Sequence, residues 1–278
     1  MSQLVWLASY PKSGNTWMRI FLINYLLNTQ APQDINALDM INHASARHIF
    51  DDLAGFSTSH LTLDEVDQLR PQIFQQEAEL SPTLKFLKVH DAYVMTPGGE
   101  PLFPVDATYG AIYIIRNPLD VAVSYAHHEK MTIDRIIDRM CYPEAAIAIR
   151  SDRYMEQIRQ KLLTWSDHVR SWLEAADQRV HVVRYEDMLT DAERTFTGII
   201  RFLNLPDDAE RIRRAIRFSS FDEVSKQESE KKFSERLHQD AAFFRKGKAG
   251  SWEEELTPEQ ANRIREAHGD VMRQFGYL

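Results

Sequence analysis

A chain of 278 residues, 44% apolar and 27% charged, has the length and balance of one large α/β domain with ample core. Its net charge of −8 argues against non-specific nucleic-acid binding and leaves room only for local basic pockets. Cys141 is the one cysteine, so no intrachain disulfide forms, in keeping with a reducing compartment. The N-terminal apolar run is short and lacks the basic flank of a secretory signal. No run approaches the ~20 apolar residues of a membrane span. The expectation is a soluble, cytoplasmic protein.

The first predicted strand is the apolar run Leu4–Ala8. It feeds Tyr10-Pro11-Lys12-Ser13-Gly14-Asn15-Thr16-Trp17, and an amphipathic helix, Trp17–Leu27, leaves that loop. Such a helix start gathers free backbone N–H groups and the positive end of the helix dipole. Lys12 adds a full charge, and Ser13 and Thr16 add hydroxyl donors. This chemistry suits a phosphate or sulfate group. It is not a Walker A loop, because the leading glycine is absent and the lysine precedes Gly14. The plain alternative is a strand-to-helix turn with an exposed lysine.

Asp64–Leu80 reads as a helix with Val66, Leu69 and Ile73 on its apolar face. Phe86–Val89 is the second strand. Met95–Asp106 is irregular, broken by Pro97, Gly98, Gly99, Pro101 and Pro104. Ala111–Ile115 is the third strand. Tyr154–Ala176 carries Ile158, Leu162, Trp165, Val169 and Trp172 at helical spacing, a core stripe. Val180–Val183 is the fourth strand. Helices follow at Asp191–Leu203, Ala209–Phe218 and Pro258–Phe275, the last capped by Thr257 with Pro258 at its first position. Lys226–Asp240 is polar and charged, a surface loop or weak helix. Strands alternating with helices predict an α/β fold: a single P-loop-like domain, residues 1–278, with a central, mostly parallel sheet flanked by helices.

Ligands in such sheets sit at the carboxyl ends of the strands, so the residues following each strand are the candidates. The second strand delivers Lys88-Val89-His90-Asp91. His90 is placed either to act as a general base or to be hydrogen-bonded into the structure. The third delivers Arg116 and then Asn117-Pro118-Leu119-Asp120, a helix start with Asp120 at the capping-box position. Arg116 beside that helix start pairs with a phosphate or bridges the sheet edge. Ser124 lies one turn beyond Asp120. The fourth delivers Tyr185, which borders an adenine or simply packs. Phe243-Phe244-Arg245-Lys246-Gly247-Lys248-Ala249-Gly250-Ser251-Trp252 combines aromatics, cations and glycines, as a phosphate-clasping loop or a solvated basic turn does.

In order and spacing, Tyr10–Trp17, Ile114–Tyr125 and Phe243–Trp252 resemble the three motifs of the soluble sulfotransferases that use PAPS (3′-phosphoadenosine 5′-phosphosulfate). The wording of the first motif is similar to bacterial members, including those that sulfate natural products. The resemblance implies that Lys12, Ser13, Gly14, Asn15 and Thr16 hold the phosphosulfate. It implies that Trp17, Tyr185 and Phe221 border the adenine. Arg116, Ser124, Arg245, Lys246 and Gly247 fall where the family binds the 3′-phosphate, and His90 where it places its base. Asn15 stands where many members have threonine, and Asp91 where animal enzymes have an apolar residue. Pro258 breaks the animal dimerisation motif, so a family-type dimer is not implied and monomer or homodimer stays open.

The expected reaction is in-line sulfuryl transfer from PAPS to a hydroxyl of a small-molecule or natural-product acceptor. His90 takes the proton, Lys12 stabilises the leaving group, and no metal is needed. The acceptor pocket is expected from Leu53–Leu61, Pro97–Pro104, His127–Tyr142 and Lys226–Asp240. A nucleotide-dependent kinase of the P-loop class and a non-catalytic nucleotide-binding protein are the competing readings. No nucleic-acid partner is expected.

Overall fold

In the computed structural model, which describes residues 3–150, 152–238 and 240–278, the chain begins β1 (Leu4–Ser9), α1 (Asn15–Leu27), α2 (Arg47–Ala54), α3 (Leu63–Leu80) and β2 (Lys85–Val89). It continues β3 (Thr108–Ile115), α4 (Pro118–Glu129), α5 (Ile133–Met140), β4 (Ala146–Ile147), β5 (Gln160–Lys161), α6 (Trp165–Leu173) and β6 (Val180–Arg184). The helices α7 (Tyr185–Thr190), α8 (Ala192–Phe202), α9 (Ala209–Phe218), α10 (Phe221–Lys231) and α11 (Pro258–Gln274) complete it. The central parallel sheet has the order β2-β1-β3-β6 and is flanked by helices. Leu4 stands opposite Lys85 and Ala8 opposite Val89. All six residues of β1 are buried. A strand covered on both faces reads as an unbroken apolar run, which is why Leu4–Ala8 shows no alternation. Among the described residues no helix is long and apolar enough to cross a membrane.

The chain groups into two compact units. The first takes the N-terminal segment to Tyr10, Asn42–Tyr113 and Arg139–His181. Its core is aromatic: the Trp6 ring lies 5.0 Å from Phe74 and 4.9 Å from Phe103, and Trp172 lies 4.9 Å from Phe103. Both indole N–H groups are used, Trp6 donating to Thr108 Oγ1 at 2.9 Å and Trp172 to the Asp91 carbonyl at 3.0 Å. Buried indoles need such partners. The second unit takes Pro11–Ile41, Ile114–Asp138 and Val182–Leu278. There Phe21 of α1 stacks on Phe196 of α8 at 3.9 Å, and Arg211 of α9 donates to the Tyr25 carbonyl at the end of α1.

Two expectations need correction, for Tyr154–Ala176 and for Asp120. The apolar stripe of Tyr154–Ala176 is buried throughout, but only Trp165–Leu173 is helical. Gln160–Lys161 pairs instead with Ala146–Ile147, Leu163 turns through φ 58°, and Thr164 caps α6 by accepting from the Asp167 amide. Positions i and i+4 share a face in a strand as in a helix, so the spacing of Ile158 and Leu162 did not separate the two. The helix expected over Asp191–Leu203 forms as α8, with the separate short α7 before it. Within Lys226–Asp240 the helix alternative holds for the residues up to Lys231, which belong to α10 and bury Gln227 and Glu228; Gln239 lies outside the described residues. Asp120 forms no capping box: Asn117 accepts from the Leu119 amide, and Asp120 is used elsewhere.

Candidate functional site

The loop between β1 and α1 belongs to the second unit from Pro11 onward. Gly14 caps α1 at φ 108°, no side chain caps the helix, and its first turn carries no acid. Such a helix start presents backbone N–H groups to an anion. Lys12 itself is left-handed, φ 67°, a conformation that marks functional loops when a non-glycine residue holds it. Its Nζ rests over the Phe243 ring, 4.2 Å from the centroid. Asn15 and Thr16 are buried at the helix start. Ser13 is buried too, and its Oγ has no hydrogen-bond partner among the described residues.

Gly14 also allows a close approach. A Cβ there would lie 2.7 Å from Tyr185 Cδ2. Tyr185 meets Trp17 edge to face at 5.8 Å and carries the Arg116 guanidinium over its ring at 4.3 Å. Arg116 donates from Nη1 to the Lys12 carbonyl at 3.0 Å, while its Nε has no partner among the described residues. One cation thus ties the first motif to the end of β3. Trp17 Nε1 is likewise buried without a partner among the described residues. Orphaned donors beside aromatic rings suit a polyanionic nucleotide.

The third motif is tied to the second by Asp120. Its carboxylate accepts from the Gly250 amide at 2.8 Å, and from Ser251 Oγ and the Trp252 amide at 3.1 Å each. Gly247, at φ 59°, has the Phe221 ring so close that a Cβ there would clash with it. Arg245 and Lys246 meet carboxylates: Arg245 Nη2 donates to Glu255 at 3.0 Å, and Lys246 Nζ to Glu255 at 2.7 Å and Glu254 at 3.1 Å. Burial alone would raise the Glu255 carboxyl, but hydrogen bonds from Arg245, Lys246 and His127 outweigh it and hold it at about 2. Lys12, Ser124 and Arg245 share the wall of one cavity of about 130 Å³ with His127, His128 and Arg236.

His90 stands in the first unit, just beyond β2. Its Nδ1 lies 2.8 Å from the Ser9 carbonyl. A carbonyl only accepts, so Nδ1 carries the proton and Nε2 keeps its lone pair. Burial, then the charge of Lys88, depresses its pKa well below the usual histidine value. Its own carbonyl accepts from His168 Nε2 at 3.1 Å, and His168 Nδ1 takes the Tyr113 hydroxyl at 2.8 Å. Burial lowers His168 to about 4, so it stays neutral as a backbone prop. Asp91 is committed: both oxygens accept from Arg70, at 2.9 and 2.7 Å, and one also takes the Lys161 amide at 2.9 Å. It is not available as a second base.

Sequence reasoning missed Asp120 as the clamp of the third motif, Glu255 as the partner of its cations, and the His168–Tyr113 prop. Asp120 carried a misleading signal, since a capping-box acid occupies the same position.

The sequence model of the sulfotransferase domain family matches residues 2–276. An amine sulfotransferase of Oryctolagus cuniculus is 24% identical over 286 residues, covering 98% of this chain and 81% of that protein. Sulfotransferase 1E1 of Mus musculus is 27% identical over 277 residues, covering 96% and 82%. Among solved structures, mouse sulfotransferase SULT7A1 complexed with PAP aligns with a TM-score of 0.62 at 20% identity, covering 98% of this chain and 85% of that one; at that identity the likeness is one of fold. The chain belongs to the sulfotransferase domain family and is a PAPS-dependent sulfotransferase.

Proposed function

We propose that the enzyme sulfates a hydroxyl of a small-molecule or natural-product acceptor, with His90 as general base, no metal, and one catalytic domain over residues 1–278. His90 carries this reading. Its Nδ1–H is spent on the Ser9 carbonyl and its pKa is depressed, which favours a neutral ring whose Nε2 accepts a hydroxyl proton. A neutral imidazole suits taking the proton of a hydroxyl as it attacks, which favours a hydroxyl acceptor. When bound, PAPS supplies the activated sulfuryl group. In this reading Lys12, with Ser13, Gly14, Asn15 and Thr16, holds the phosphosulfate and stabilises charge on the leaving oxygen. Trp17, Tyr185 and Phe221 border the adenine; Arg116, Ser124, Arg245, Lys246 and Gly247 hold the 3′-phosphate. A sulfuryl group carries less charge than a phosphoryl group, so protein cations suffice. A cytoplasmic setting agrees with the lone Cys141.

The test pairs labelled PAPS with a panel of phenols, alcohols and amines, run for wild type and His90→Ala. The expected outcome is transfer to hydroxyl acceptors, a fall in kcat of about 10²–10⁴-fold in the variant, and unchanged calorimetric affinity for PAP. Transfer confined to amines would overturn the acceptor class. Near-normal turnover by His90→Ala would remove His90 as the base.

A further inference from the structure

Arg236 lies five residues beyond α10, in a stretch to which the sequence motifs give no donor contact. Its side chain is only 9% exposed. Nη1 has an ionic neighbour, Glu228 Oε1, at 3.8 Å. That carboxylate is already engaged, one oxygen accepting from the Phe243 amide at 2.7 Å and the other from the Phe244 amide at 2.9 Å. Arg236 Nε and Nη2 have no hydrogen-bond partner among the described residues.

Those two nitrogens are not a random pair. They share one edge of the planar guanidinium and point their N–H bonds the same way, the fork that grips two oxygens of one oxyanion. A buried donor edge left open is costly. Arg236 lines the cavity of about 130 Å³ that Lys12, Ser124 and Arg245 also line, and no carboxylate is among the lining side chains. By this measure a water needs only about 10–15 Å³, so the space admits a phosphate or sulfate group.

We propose that Arg236 is a further donor-binding residue, gripping two oxygens of a phosphate group of the nucleotide through its Nε–Nη2 edge. The donor is favoured over an acidic acceptor because Lys12, Ser124 and Arg245, which share the cavity, all serve the donor in the proposed function, on which this inference rests. The fork also separates Arg236 from a diffuse positive charge: lysine keeps the charge and loses the paired donors.

The experiment is calorimetric titration of PAP, and of adenosine 5′-phosphosulfate, which lacks the 3′-phosphate, into wild type, Arg236→Gln and Arg236→Lys, with thermal melts of each protein. The expected result is PAP affinity at least tenfold weaker in Arg236→Gln, with Arg236→Lys in between and both melting near wild type. A loss seen with both nucleotides places the contact on the 5′ side; a loss seen with PAP alone places it on the 3′-phosphate. PAP affinity within twofold of wild type in both variants overturns the proposal, as does an effect confined to the acceptor's KM. Should wild type itself not bind PAP, the PAPS reading falls first, and the titration of wild type alone reveals that.

Discussion

Replacing Gly14 by alanine tests whether the close approach of loop and ring organises the donor side. Two penalties add. Alanine must adopt φ 108°, and a left-handed backbone costs a residue with a Cβ about 1–2 kcal/mol. The Cβ must also displace Tyr185 Cδ2 and Cε2, which lie 2.7 and 3.2 Å from its position, an overpacking worth about 1–3 kcal/mol. Gly55 is the control. It too is left-handed, at φ 75°, but a Cβ there meets nothing within 4 Å, so Gly55→Ala carries the backbone penalty alone. For a chain of this size ~1 kcal/mol moves Tm by about 2–4 °C. Gly55→Ala should therefore lower Tm by roughly 2–8 °C with PAP affinity unchanged. Gly14→Ala should lose about 2–5 kcal/mol and weaken PAP at least tenfold, because Tyr185 carries Arg116 and contacts Trp17. Scanning fluorimetry and calorimetry on the two variants decide it. Equal melting points, with PAP binding intact in Gly14→Ala, would refute the reasoning.

Three further outcomes are expected. Glu255→Gln removes the anion that competes for Arg245 and Lys246, so PAP should bind several-fold tighter by calorimetry; weaker binding would show that Glu255 chiefly orients the two cations. Because His90 is depressed and stays neutral into acid, the acid limb of kcat/KM should fall below pH 6.5; a limb at or above that value would contradict the geometry assigned to it. Burial holds His168 at about 4 in the folded protein, against the ordinary histidine value of 6.5 once the chain unfolds. The unfolded chain therefore binds the extra proton, and stability falls as pH drops from 6.5 toward 4, with about 2 kcal/mol lost from this residue by pH 5. Urea melts at pH 7.5 and 5 should show that loss diminished in His168→Gln, and an undiminished loss would assign it to other groups.

Strands β1, β2 and β3 and the first helix were legible because burial on both faces writes a near-continuous apolar run, and because punctuation by Pro11, Gly14 and Pro118 is local chemistry; β6 is only half-buried, with Val183 its buried residue. The cations proposed for the donor side, Lys12, Arg116 and Arg245, stood out for the same reason: each follows or flanks such punctuation. What stayed hidden depends on partners far apart in sequence. Asp120 binds amides 130 and more residues away, so nothing near it distinguishes clamp from cap. The Ile158–Leu162 spacing is shared by helix and strand, and the turn at Leu163 follows from tertiary packing that no local residue announces. Arg236 looked like one charge among many in a polar stretch, and its burial became visible only in the fold.

The cations of the second unit differ in how their existing partners bear on an incoming anion. Arg116 rests its face on Tyr185, and a stacked guanidinium keeps its in-plane N–H groups for oxygen acceptors. The ring orients Arg116 without competing for its donors; Nη1 and Nη2 meet the Lys12 and Lys248 carbonyls, and Nε is open among the described residues. Lys12 on Phe243 is held by a weaker attraction that a full negative charge outbids. Arg245 and Lys246 are different, because Glu255 and Glu254 occupy the N–H groups themselves. Anion binding there is an exchange of acceptors, and its net strength is the difference between a phosphate and a carboxylate. Arg236, with Glu228 only at 3.8 Å, lies nearer the Arg116 case. The steepest dependence of donor affinity on a single side chain is accordingly expected at Arg116 and Arg236, and the shallowest at Lys246, where losing the phosphate contact also releases the two glutamates that held it.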